Sequence, residues 1–86
     1  MLDQLQGWEV RKGKQLTKSF KFGNFVEAVD FVNVVTPIAE AEGHHPDLFV
    51  KWGQVRVSLW THVVGGLSEN DFILAAKIDQ AAARRG

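Results

Sequence analysis

The chain has no cysteine, no net charge and no long apolar run, and each absence closes off a class of function. Without cysteine there is no disulfide, no thiolate nucleophile and no cysteine-based zinc site. Ten basic residues against ten acidic ones leave a formal charge of zero. Nucleic-acid binding is driven by neutralising phosphates, so this balance argues against a nucleic-acid partner. The local basic cluster of Arg11, Lys12, Lys14, Lys18 and Lys21 reads as the solvated surface of a hairpin. No apolar run approaches the ~18 residues of a membrane span. Met1 to Trp8 lacks the charged start and apolar stretch of a signal peptide. The expectation is a cytoplasmic protein with no membrane partner.

What remains is an ordinary globular composition, 45% hydrophobic and 23% charged. At 86 residues the chain has room for one domain, residues 1–86. A core of that size is thin, and oligomerisation would supplement it.

Hydrophobic periodicity switches along the chain. Trp8 to Arg11 and Gln15 to Phe22 read as two strands around a turn at Lys12-Gly13-Lys14. Leu16, Phe20 and Phe22 share one face of the second strand, with Lys18 the odd residue on it. Asn24 and Glu27 form the start signal of a helix. Its expected stripe is Phe25, Ala28, Val29, Val32, Val35 and Ala39, with Pro37 a predicted kink and Gly43 its end. Leu48, Val50 and Trp52, then Val55, Val57 and Leu59, alternate about a predicted Gly53-Gln54 turn. Ser68 and Asp71 open a second helix through about Ala83, with Leu74, Ala75, Ile78 and Ala82 as its stripe. The order predicts an α+β fold, a two-layer ββαββα arrangement. In it, two helices pack on one face of a four-stranded antiparallel sheet.

The predicted turn pairs Trp52 with Val55, Val50 with Val57 and Leu48 with Leu59. Continued outward, that register sets His45 opposite His62. The end of the first helix brings Glu40 and Glu42 to the same place, and the start of the second brings Asp71. Imidazole has an ordinary pKa of ~6.5, so it serves as acid or base near neutrality. Two imidazoles flanking a substrate can protonate a leaving hydroxyl and remove a proton elsewhere, each step worth ~10²–10⁴ in rate. A carboxylate on one ring fixes its tautomer. Such a site adds or removes water with neither metal nor cofactor. Zinc is the competing chemistry, but His44 and His45 on a regular strand would point to opposite faces, a poor start for sharing one ion. Asp71 also has a plain reading as a helix cap, and Glu40 as a solvated helix residue.

Glu40-Ala41-Glu42-Gly43-His44-His45-Pro46, Trp52, Thr61-His62 and Leu67-Ser68-Glu69-Asn70-Asp71 together resemble the signature of the pterin-4a-carbinolamine dehydratases. Gly7-Trp8 and Lys18-Ser19-Phe20-Lys21-Phe22 are similar to the start of that family, so the likeness spans nearly the whole chain. The resemblance implies a hydro-lyase. It would dehydrate 4a-hydroxytetrahydrobiopterin to quinonoid dihydrobiopterin, recycling the pterin of aromatic amino-acid hydroxylases. It implies His44, His45, His62 and Asp71 as catalytic residues. Substrate contacts would come from His44, His45, Pro46, Thr61, His62, Val63 and Val64, with Glu40 and Trp52 in support. His44 and His62 are the expected proton-transfer pair and His45 the binder. Family members form dimers or tetramers, so a homodimer or homotetramer is implied. Some animal members also act as dimerisation cofactors of a transcription factor. That leaves a non-catalytic pterin-binding or protein-dimerisation module as the alternative, and an enzyme of a related pterin as a third reading.

Overall fold

A computed structural model describes residues 7–11, 15–60 and 69–85, of which 84 and 85 by backbone alone. Strand β1 is Glu9–Arg11, β2 Gln15–Lys21, helix α1 Phe25–Glu42, β3 Asp47–Lys51, β4 Gln54–Leu59 and α2 Glu69–Arg85. The order is the expected ββαββα, and the strands form one antiparallel sheet in the order β1-β2-β4-β3.

Leu16 and Phe20 of β2 and Val55, Val57 and Leu59 of β4 fall at alternate positions, so they share one sheet face. They meet Ala28, Phe31 and Val35 of α1 and Leu74, Ala75 and Ile78 of α2 in one buried cluster. Both helices therefore cover that face. No helix among the described residues is long and apolar enough to cross a membrane.

Helix α1 starts where Asn24 accepts a hydrogen bond from the Glu27 N–H at 2.9 Å, the cap its sequence announces. It runs through Pro37 to Glu42. Its buried stripe differs from the expected one. Phe25 is half exposed and Phe31 stands in the core, because the buried set is Ala28, Phe31, Val35 and Ala39. The rings of Phe20 and Phe22 lie 4.9 and 5.1 Å from that of Phe31, centroid to centroid, so aromatic packing from β2 selects it.

Lys18, the odd residue on the apolar face of β2, is partnered from α2. Its ammonium donates to Asp79 Oδ1 at 2.9 Å and lies 4.9 Å from the Phe20 ring centroid. Trp8, buried just ahead of β1 rather than inside it, donates its indole N–H to Asp79 Oδ2 at 2.9 Å. One carboxylate thus ties the first hairpin to the last helix.

The β3–β4 turn corrects the expected register. The chain turns on Trp52-Gly53 rather than Gly53-Gln54, pairing Lys51 with Gln54, Val50 with Val55 and Leu48 with Val57. That is a shift of two residues, so the side chains keep their faces and change their partners. Gly53 decides it. Its φ of +72° lies in the left-handed region, and a Cβ there would come within 3.0 Å of the Phe22 carbonyl oxygen. Trp52 consequently leaves the apolar face for the turn, where it is 73% exposed.

Candidate functional site

The site begins at the end of α1. Gly43 takes φ +63°, ψ 28°, and the N–H groups of Gly43 and His44 reach back to the carbonyls of Glu40 and Ala39 at 3.2 Å each. This Schellman pattern uses two carbonyls that the helix would otherwise leave orphaned. It also fixes the backbone from which the His44 side chain departs. A Cβ on Gly43 would meet nothing within 4 Å, so Gly43→Ala isolates the backbone effect. The expected loss is about 1–2 kcal/mol in urea unfolding. Unchanged stability would mean the turn has another conformation open to it.

Asp71 approaches from the other helix. It lies one turn ahead of Leu74 and Ala75, so the apolar stripe of α2 carries it inward to zero exposure. His44 Nε2 and Asp71 Oδ1 form a hydrogen bond there, with the imidazole itself mostly buried. Because Nε2 faces an acceptor, the neutral ring holds its proton on Nε2 and leaves the Nδ1 lone pair available. Asp71 also sits in the first turn of α2, where the helix dipole favours negative charge. The capping pair expected of Ser68 and Asp71 lies outside the described residues, since Ser68 is not among them.

His45 has a different neighbour. Its Nε2 meets Glu40 Oε2 at 2.5 Å, with both side chains about two-thirds exposed. An exposed pair of this kind contributes ~0–1 kcal/mol. The adjacent histidines therefore diverge, one held rigidly from beneath and one lightly at the surface. Glu42, expected near the imidazoles, reaches Lys77 of α2 at 2.5 Å and joins the two helices instead.

Thr61, His62, Val63 and Val64 lie outside the described residues, and so does the convergence expected of His62. The observed pairing ends at Asp47 opposite Ser58, short of His45. Trp52 stands at the turn, with the length of β3 between it and His45. A pair not expected from sequence also appears, with the Trp60 indole N–H donating to Asp47 Oδ2 at 3.0 Å. Trp60 directly follows β4, and Asp47 opens β3.

The likeness suggested by these residues extends to whole chains. The family model for Pterin 4 alpha carbinolamine dehydratase matches residues 1–81. A pterin-4-alpha-carbinolamine dehydratase homologue from Saccharophagus degradans is 48% identical over 93% of this chain and 74% of its own. One from Rickettsia canadensis is 52% identical over 92% and 73%. A solved structure from Brucella melitensis, described as a transcriptional coactivator/pterin dehydratase, superposes with a TM-score of 0.87. It is 36% identical over 94% of this chain and 87% of that one. A pterin dehydratase-like protein identified as a RuBisCO assembly factor in the alpha-carboxysome is 24% identical over 90% of both chains. With a TM-score of 0.76, it shares the fold. The matched length, the identity of the homologues and the superposed fold agree: this chain belongs to the pterin-4a-carbinolamine dehydratase family.

Proposed function

We propose that this chain is a hydro-lyase that converts 4a-hydroxytetrahydrobiopterin to quinonoid dihydrobiopterin by histidine acid–base catalysis. It would thereby recycle the pterin used in aromatic amino-acid hydroxylation. The observation that carries the reading is the imidazole of His44 held through Nε2 by the buried carboxylate of Asp71. Burying a carboxylate is costly unless it is paired, and here the partner is a group able to move protons.

In this reading the Nδ1 lone pair of His44 takes the proton from N5 of the substrate. The N5–H electrons become the N5=C4a double bond, the C4a–O bond breaks, and the hydroxyl leaves as water with a proton supplied by His62. Asp71 stabilises the imidazolium that His44 becomes. His45, with Pro46 and residues 61–64, holds the pterin, and Glu40 steadies His45. Residues 1–86 act as one domain, in the cytoplasm, as a homodimer or homotetramer whose stoichiometry sedimentation velocity reports.

Purified protein is expected to accelerate decay of the 4a-hydroxy intermediate in a stopped-flow assay coupled to an aromatic amino-acid hydroxylase. His62→Ala should lower that rate at least ~10²-fold. Equal rates for mutant and wild type would remove His62 from the mechanism. No acceleration by the wild type would remove the reading itself.

A non-catalytic docking role draws support from a different observation. Phe49 and Trp52 are 52% and 73% exposed on the β3–β4 hairpin, and the Brucella melitensis neighbour is described as a coactivator as well as a dehydratase. A stable hetero-complex insensitive to His44→Ala, formed by protein that lacks turnover, would favour it.

A further inference from the structure

The loop of residues 43–46 carries His44 and His45, and its two ends are held by different means. At the α1 end, backbone hydrogen bonds from Gly43 and His44 fasten it. At the β3 end, the ladder stops at Asp47 opposite Ser58. Pro46 has no N–H, so it cannot donate to extend that ladder. Backbone pairing is therefore weakened at the point where His45 needs a fixed position. A side-chain bond stands there in its place, the Trp60 Nε1–H donating to Asp47 Oδ2 at 3.0 Å.

We propose that Asp47 and Trp60 are positioning residues for the dehydration, clamping the β3 end of the loop so that His45 is presented to the pterin at a fixed place. The inference rests on the dehydratase reading above and deepens it. A charge-assisted hydrogen bond suits the task, because it is stronger and more directional than a neutral one. His45 needs the help more than His44. His44 is anchored by buried Asp71, whereas His45 has the exposed Glu40 carboxylate beside it. Asp47 lies two residues after His45 along the chain, so the bond acts close to that imidazole's backbone.

The test uses the full chain. Trp60→Phe keeps an aromatic ring and removes the N–H, Asp47→Ala removes the acceptor, and Asp47→Asn keeps a carbonyl acceptor. Trp60→Phe and Asp47→Ala are each expected to lower kcat/KM about tenfold, with Asp47→Asn within about threefold of wild type. The loss should vanish in a His45→Ala background, where nothing remains to be positioned; a merely structural role would give additive losses instead. In NMR spectra the His45 ring signals should move in Trp60→Phe while those of His44 stay. Wild-type kcat/KM in Trp60→Phe, additive losses, or unmoved His45 signals overturn the clamp. A wild type without dehydratase activity defeats the reading above, and the His45 signals then decide the clamp independently.

Discussion

Asp71→Asn is expected to lower kcat about 10²–10⁴-fold with little change in KM. The amide has nearly the shape of the carboxylate, so packing against Leu74 and Ala75 is kept and the loss reports chemistry. A neutral amide oxygen facing His44 Nε2 would preserve the tautomer but would stabilise the imidazolium far less. An amide nitrogen in that place would force the His44 proton onto Nδ1 and abolish the base. Either orientation slows the same step. Asp71→Ala should add a folding penalty of about 1–3 kcal/mol, since it leaves a mostly buried imidazole N–H without its acceptor. Asparagine protein with the kcat of wild type would mean that Asp71 serves the fold and not the reaction.

The largest stability effect is expected from Phe31→Ala. Phe31 is fully buried and lies between the rings of Phe20 and Phe22, at the centre of the layer joining α1 to the sheet. Truncation removes its transfer free energy and leaves a cavity walled by a rigid sheet, a loss of about 3–5 kcal/mol. Small proteins have about 5–15 kcal/mol in total, so the urea midpoint should fall steeply while the slope stays constant. Phe25→Ala on the same helix should cost far less, because Phe25 is half exposed. Comparable losses at the two positions would mean that the buried stripe of α1 is misassigned.

These two residues also mark where sequence reasoning succeeded and where it stopped. Asp71 was legible as a candidate through its motif, but its burial was not, since it was read as a helix cap outside the stripe of Leu74, Ala75, Ile78 and Ala82. Phe31 was missed, because helical spacing around Ala28 and Val35 admits more than one apolar stripe. Choosing between Phe25 and Phe31 needed the aromatic rings of β2. Lys18 looked like an exception to alternation, and its reason was 61 residues away in Asp79.

The hairpin shows the same division more sharply. Alternation in β3 and β4 identified both strands and the face each residue takes, but faces survive any shift of two residues. The register depended instead on a single backbone position, the left-handed Gly53 pressed against Phe22. That choice moved Trp52 into the turn and gave Val50, Leu48 and Asp47 the partners Val55, Val57 and Ser58.

By itself the sequence determined the element order, the α+β class, the caps at Asn24 and Gly43, and the family, because those depend on local backbone preference and on residue types at fixed spacing. Tertiary structure alone decided which carboxylate holds which histidine. Asp71 and Glu40 are both near the histidines by sequence logic, and only packing of α2 against α1 buried the first beneath His44 and left the second beside His45 in water. The physical reason is that spacing along a chain constrains direction within one element, whereas contact between elements is settled by the burial of their apolar faces together.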